Sequence, residues 1–259
     1  IAVRSDLVIV KVKEAKNLYK DFYAIPRDAN AYQTNDIMQG VKYLTMIAAR
    51  MERPLVICIG MGTNAGGYGF LGVFEDYLTS VGNISGNAVI CAAGNEALGR
   101  RFYYSQVIPG QSYDTVELQV GPPEGFTLEL WGQSPNIYSL SITSPIGEFI
   151  ERIPARSEET MNYRFLIEDT RVRVNYQLNE RSSGQQVIVM TFYNPTLGLW
   201  TFRVYEEQYN DSSYYMKLPI GNFISPDTFF LRSVAGSTNI NPGYMYSGTP
   251  VIASTHVNY

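Results

Sequence analysis

The pattern of apolar and polar positions changes near residue 105. Before that point, strand-like and helix-like segments alternate along the chain. Residues 6–13 read as a strand. A helix N-cap cluster at Thr34, Asn35 and Asp36 is followed by apolar residues with the helical period, at Ile37, Val41, Leu44 and Ala48, and Pro54 ends that helix. Two short apolar runs, at 55–59 and 88–92, enclose a second helical segment at 73–80. This order predicts an open parallel α/β sheet whose strands are buried on both faces.

Beyond residue 105 the helical period disappears. Segments of about six to nine residues alternate apolar and polar positions, and Gly, Pro or Asn separates them. They lie at 115–120, 126–131, 137–142, 171–176, 186–192 and 199–204. This spacing predicts an antiparallel β-sandwich, a jelly roll. We therefore expect an α/β chain with an inserted sandwich, divided as 1–105, 106–218 and 219–259.

Composition excludes several classes of function. The chain has 259 residues, 45% of them hydrophobic, and a net charge of −4. A weakly acidic chain without a basic tract is not expected to bind nucleic acid or membranes. His256 is the single histidine, which excludes a metal site built from several histidines. We expect no cofactor and identify no metal-ligating residue, and calcium dependence stays open. Cys58 and Cys91 are predicted to be buried free thiols in a reduced compartment. Arg100 and Arg101 either anchor the insert or form a solvated basic turn, and the solvated turn is the favoured reading.

A glycine-rich segment follows the apolar run at 55–59. Residues 60–65 read GMGTNA, which matches the G-x-G-x-x-G/A pattern of dinucleotide-binding loops. The acidic residue that such proteins carry after the next strand is missing, and no lysine is present for a P-loop. A turn that needs glycine for its backbone conformation is the favoured alternative.

A second segment, AAGNE at 92–96, ends the other apolar run. Its small residues leave the backbone edge open to an extended ligand. The side-chain amide of Asn95 is suited to donate hydrogen bonds to a developing oxyanion. The alternative is that Gly94 and Asn95 only form a turn.

These two segments together resemble the subtilisin-like serine proteases. VICIGMG at 56–62 is similar to the substrate-binding strand of that family, and AAGNE is a family hallmark. The chain looks most like the Csp-type subtilases of spore-forming bacteria, whose members carry a jelly-roll insert after AAGNE. Further segments that carry the resemblance are DLVIVKVKEAK, AYQTNDIMQGVKYLTMIA, CAAGNEALGRRFYY and the LELW and SPIGE motifs.

The resemblance implies roles for the residues in both segments. Two walls would flank the substrate side chain that precedes the scissile bond; they are formed by Gly60, Met61 and Gly62 on one side and by Ala92, Ala93 and Gly94 on the other. Asn95 would complete the oxyanion hole. Glu96 would favour a basic side chain, although a solvated glutamate is the commoner reading.

The same resemblance implies a protein or peptide substrate. The location stays open, with the reduced cytoplasm or a spore compartment favoured over secretion. Processing of another protein during spore germination is the role that the resemblance suggests. The oligomeric state stays open.

The sequence also departs from the family. The Asp-Ser/Thr-Gly, His-Gly-Thr and Gly-Thr-Ser motifs of the catalytic triad are absent. We expect the first two before Ile1 and the third beyond Tyr259, and His256 is not expected to be catalytic. The prediction is the central fragment of a serine endopeptidase that is inactive by itself. A pseudoprotease, or a glycan- or protein-binding module with the same fold, remains the alternative.

Overall fold

The computed structural model describes most of the chain. The described residues are 4–67, 72–92, 99–108, 110–122, 125–132, 134–157, 159–181, 183–207 and 213–231. They form a small α/β layer that is followed along the chain by a larger β-sandwich.

The α/β layer contains three helices and one parallel strand pair. Its elements are α1 (Asn17–Phe22), α2 (Thr34–Met51), β1 (Leu55–Ile59), α3 (Val73–Gly82) and β2 (Asn87–Cys91). Strands β1 and β2 pair in parallel over their full length. No helix in the described part of the chain combines the length and the apolar character needed to cross a bilayer.

Helices α2 and α3 cover one face of this strand pair. The core between them consists of Val41, Ile57, Ile59, Leu78, Val81 and Val89. The opposite face carries Val56 and Cys58, both exposed, and Ile90, which is 48% exposed. The expectation of strands buried on both faces is therefore wrong for the described residues. Cys58 is exposed and Cys91 half-buried, which also corrects the prediction of two buried thiols.

Two further expectations in this layer need correction. Residues 6–13 form no strand, and the side chains of Leu7 and Ile9 extend into solvent. Thr34 begins α2 rather than capping it, because Gln33 occupies the N-cap position without a side-chain hydrogen bond. The helix ends as predicted just before Pro54, where Glu52 adopts the left-handed conformation.

Within the described residues, the β-sandwich contains eleven strands. In chain order they are β3 (Phe102–Gln106), β4 (Asp114–Val120), β5 (Phe126–Gly132), β6 (Tyr138–Thr143), β7 (Phe149–Ile153), β8 (Thr160–Arg164), β9 (Arg171–Gln177), β10 (Gln186–Tyr193), β11 (Gly198–Glu206), β12 (Ser213–Lys217) and β13 (Phe229–Phe230). A six-stranded sheet has the order β3-β12-β5-β10-β9-β8, and a five-stranded sheet has the order β13-β4-β11-β6-β7. All their pairings are antiparallel.

The core of the sandwich follows from strict alternation along the strands. In β9, Val172, Val174 and Tyr176 are buried while their neighbours are more exposed. Trp200 lies at the centre of an aromatic cluster and makes an edge-to-face contact with Phe192 at 5.4 Å between ring centroids. Such contacts add to the burial of apolar area that stabilises the sandwich.

The outer face of the six-stranded sheet is not free. The end of α1 lies against it, where the hydroxyl of Thr127 donates a hydrogen bond to the carbonyl of Tyr23 at 2.8 Å. The guanidinium of Arg173 donates to the carbonyl of Phe22 at 2.6 Å and lies 4.2 Å from the centre of its ring. The α/β layer therefore covers the sandwich on this side.

The predicted fold class is wrong. Most strands belong to the two antiparallel sheets, and the described residues include only two parallel strands and few helices. The β-α-β pattern of the first 105 residues does not set the fold class of the whole chain. It describes a layer that flanks the sandwich, whereas the antiparallel sheets supply most of the structure. The proposed boundaries at residues 105 and 218 stay predictions.

Candidate cleft at the end of the parallel strands

The candidate site is the carboxyl edge of the parallel strand pair. Ile59 and Cys91 are register partners, and the backbone N–H of Ala92 donates to the carbonyl of Ile59 at 3.0 Å. Gly60 and Ala92 therefore leave the sheet side by side. The structure brings together the beginnings of the two segments that the sequence assigned to opposite walls of a cleft.

The Gly60 side of this edge is open. A Cβ added at Gly60 would meet no other atom within 4 Å, so tight packing does not explain the glycine. Met61 contacts the apolar core of the α/β layer, whereas Gly62 is exposed. An open backbone edge next to an anchored side chain can accept an extended peptide.

Four of the predicted site residues lie outside the described part of the chain: Ala93, Gly94, Asn95 and Glu96. The position of the predicted oxyanion donor is therefore not tested. The same holds for His256.

The segment that follows the candidate wall docks on the sandwich. The side chain of Asn64 is buried, and its Nδ2 donates to the carbonyl of Leu218 at 3.3 Å. The backbone N–H of Gly66 donates to Oε2 of Glu129 at 3.1 Å. Gly67 lies against the ring of Trp131, because a Cβ at this position would come within 3.1 Å of it.

The docking face belongs to the six-stranded sheet and carries a small apolar cluster. Its buried members are Phe102, Trp131, Val187 and Tyr215. The Nε1–H of Trp131 donates to the same Oε2 of Glu129 at 2.8 Å. The Tyr215 hydroxyl donates to the side-chain oxygen of Gln185 at 3.2 Å.

Lys217 is a buried cation in this interface. Its side chain is 2% exposed, and its Nζ lies 5.7 Å from the ring centre of Trp131 and 5.8 Å from that of Tyr215. Burial lowers the pKa of Lys217 to about 8, while the carboxylates of Glu129 and Glu75 act in the opposite direction. The two glutamates and the aromatic rings thus favour the charged form that burial penalises.

The second thiol of the α/β layer lies near this edge as well. Burial raises the pKa of Cys91, with further contributions from Cys58 and Glu75. A raised pKa leaves the thiol protonated and weakly nucleophilic at neutral pH. Cys91 is therefore not suited to act as a nucleophile beside the cleft.

Sequence reasoning did not identify Glu129, Trp131 or Lys217 as part of this region. Alternation in FTLELWG places Glu129 and Trp131 on the face opposite the sandwich core, and the pattern does not show what covers that face. The available signal was a tryptophan on the non-core face, two residues from a glutamate. Within the described ranges, no group of three or more His, Cys, Asp or Glu side chains is arranged to hold a metal ion.

The burial of Arg101 corrects a further expectation. Instead of lying in a solvated turn, it is 6% exposed and its Nη1 donates to the carbonyls of Ser225 and Thr228 at 3.1 and 2.7 Å. It thus ties the start of β3 to the turn before β13. Arg100 is exposed and lies over the ring of Phe229 at 5.3 Å.

Comparison with known proteins shows similarity in structure. No protein-family model matches the chain, and no curated protein sequence matches it. The structure is similar to that of the CspB protease of Clostridium perfringens, with a TM-score of 0.72 and 21% sequence identity. The similarity covers 86% of this chain and 45% of that protein, so the chain spans about half the length of its structural relative. The coarser part of the sequence-based resemblance is therefore confirmed: the chain has a fold like that of a Csp-type protease.

Proposed function

We propose that this chain is the central part of a subtilisin-like serine endopeptidase. In this proposal it supplies the two walls of the substrate cleft and the oxyanion donor Asn95. The catalytic Asp, His and Ser come from segments that the sequence does not contain. A role in spore germination belongs to the same proposal, and it rests on the resemblance to Csp-type proteases.

The observation that carries the proposal is the juxtaposition of Gly60 and Ala92 at one edge of the parallel strand pair. A protease of this type binds substrate as an added strand, and the side chain before the scissile bond enters the space between two strand ends. Backbone pairing supplies affinity without reading the side chains of the substrate. The pocket between the walls then selects the side chain, for which Glu96 favours a basic residue.

Two substitutions in the complete protein test this assignment. Gly60→Val places a branched side chain in the open space of the cleft, so we expect kcat/KM for peptide substrates to fall roughly tenfold to hundredfold. Asn95→Ala removes a donor to the oxyanion. We expect it to lower kcat by roughly 10²–10³ with little change in KM, because the interaction forms mainly in the transition state. That magnitude is the one known for the corresponding asparagine of subtilisin.

The control is Glu151→Val, which adds a branched side chain at an exposed position on β7 of the five-stranded sheet, not on the sheet that contacts the loop at 60–67. It should leave both kinetic constants and the unfolding midpoint unchanged. An Asn95→Gly variant that folds and keeps full activity would disprove the oxyanion role. Full activity in a folded Gly60→Val variant would contradict the placement of the substrate strand.

A second candidate, a glycan-binding module without peptidase activity, is favoured by one observation. A row of aromatic rings lies along the five-stranded sheet, with Tyr113 and Tyr205 at 5.5 Å between ring centroids. Arg203 lies 4.9 Å from the Tyr113 ring, and Arg152 lies 4.7 Å from that of Tyr205. Because these guanidinium groups already occupy ring faces on which a sugar would stack, this candidate ranks second. A folded complete protein that hydrolyses no peptide would favour it.

A further inference from the structure

The loop at residues 60–67 crosses from the parallel strand pair to the outer face of the six-stranded sheet. Its first residues form the proposed cleft wall, and its later residues contact the sandwich through Asn64, Gly66 and Gly67. The position of the wall therefore depends on how firmly this later part is held.

Glu129 is the central contact for the loop. It lies in the middle of β5, and its neighbours Leu128 and Leu130 point into the sandwich core, so its own side chain faces the loop. A single carboxylate oxygen accepts two hydrogen bonds, one from the backbone N–H of Gly66 and one from the Nε1–H of Trp131. Hydrogen bonds to an ionised acceptor are stronger than those between neutral groups.

The neighbours of Glu129 across the sheet define its surroundings. Val189 and Lys217 are its register partners on β10 and β12, on either side of β5. A glutamate that only balanced the charge of Lys217 would not need a donor from a loop 63 residues away along the chain. The Gly66 contact is thus a separate feature that charge balance leaves unexplained.

We propose that Glu129 is a positioning residue for the cleft. By accepting the Gly66 N–H, it fixes the 60–67 loop on the six-stranded sheet and thereby sets the position of the wall at Gly60, Met61 and Gly62. The β-sandwich then determines the width of the cleft, although none of its residues needs to touch substrate. The catalytic consequence rests on the proposed peptidase function, whereas the positional consequence does not.

Amide hydrogen exchange on the full chain tests the positional part. Replacing Glu129 alone would leave Lys217 buried with less compensation and could unfold the protein. We therefore compare the double variant Glu129→Met/Lys217→Met with Lys217→Met alone, so that the difference reports on Glu129. We expect exchange in residues 60–67 to be about tenfold or more faster in the double variant, because the loop opens locally without its anchor.

Three controls accompany this comparison. Amides of β10 should keep their protection. In the Lys217→Met background, Glu129→Gln, which retains an acceptor oxygen, should keep most of the loop protection. Glu117→Met, a half-buried glutamate on β4 of the other sheet, should leave exchange in the loop unchanged. Equal loop exchange in Lys217→Met and in the double variant, both folded, would overturn the proposal.

Kinetics of the complete protein test the catalytic part. For the double variant we expect a raised KM for long peptides, which pair with the wall, and a smaller effect on short ester substrates, which do not. If the wild-type protein hydrolyses neither substrate, the peptidase function fails while the exchange result still decides the positional role. If it hydrolyses both and the double variant shows no such difference, the link between Glu129 and the cleft is wrong.

Discussion

At the scale of single residues, Lys217 makes the largest departure from ordinary surface chemistry. Charged lysines are seldom fully buried, because removing an ammonium group from water is costly. Here the aromatic faces of Trp131 and Tyr215 and the carboxylate of Glu129 partly replace water. The compensation is incomplete, since the pKa of Lys217 still falls to about 8.

This lowered pKa predicts how stability depends on pH. Below pH 8 the lysine is charged in both the folded and the unfolded chain, and the burial cost is fully present. Between about pH 8 and the ordinary value of 10.5, the unfolded chain holds the proton that the folded chain has lost, so stability rises with pH. Over this range we expect the free energy of unfolding of the wild type to increase by up to about 3 kcal/mol relative to that of Lys217→Met.

Urea denaturation at pH 7.5, 9 and 10 measures this difference. Burial raises the pKa of Tyr176 and Tyr214, which destabilises the folded chain at high pH. Wild type and Lys217→Met share that effect, so it cancels in their difference. Lys42→Met, at an exposed position on α2, is the control and should show no pH-dependent difference from wild type. If the difference in the free energy of unfolding between wild type and Lys217→Met does not change with pH, Lys217 keeps its ordinary pKa.

At the scale of elements, several strands were predictable because one face of each strand packs on the core, as alternating apolar and polar positions predict. The alternating segments at 115–120 and 171–176 face the core on one side, and the structure forms β4 and β9 there. Residues 6–13 alternate equally well, yet they pair with none of the described strands. A strand needs partners for its backbone groups, and the local pattern cannot show whether a partner is available.

The contact between the start of β3 and the turn before β13 is a second case in which the local sequence was misleading. Two consecutive arginines suggested a solvated turn, but Arg101 holds the carbonyls of Ser225 and Thr228 from more than 120 residues away. The neighbouring Arg100 faces solvent, so the pair offers a matched comparison.

We expect Arg101→Met to destabilise the protein by about 2–4 kcal/mol, because the buried carbonyl of Thr228 and the partly buried carbonyl of Ser225 lose hydrogen bonds from a charged donor. Arg100→Met should cost less than about 1 kcal/mol, since it loses only an exposed contact with the ring of Phe229. Urea unfolding midpoints of the two variants provide the measurement. Equal losses would mean that Arg101 contributes nothing beyond an ordinary surface arginine.

At the scale of the whole molecule, the central strands β5 and β10 of the six-stranded sheet are buried on both faces, whereas β8 and the outer side of β9 are partly exposed. One face forms the sandwich core, and the other meets the α/β layer at Phe22, Tyr23 and the 60–67 loop. This explains why β5 and β10 are buried along almost their entire length. The sandwich thus has a complete core of its own together with a second apolar surface.

Because its core is complete, we expect the sandwich to fold by itself. Strand β3 begins at Phe102 and pairs with β12, so the excised segment should span residues 100–231. We expect it to unfold cooperatively with a β-type circular dichroism spectrum, because its core contacts remain. It should also bind a hydrophobic dye more strongly than the full chain does, because Trp131 and Tyr215 lose their cover. A random-coil spectrum would contradict the autonomy of the sandwich.

The sequence by itself determined which segments become strands and helices in most of the chain, and which glycine-rich and alanine-rich segments end β1 and β2. Both follow from local periodicity and backbone sterics, which act over a few residues. Only the tertiary structure decided that antiparallel strands dominate, that Glu129 meets Gly66, and that Lys217 and Arg101 are buried. Each of these depends on contacts between segments far apart in sequence, and hydrophobic patterning shows that a face is apolar without specifying what covers it.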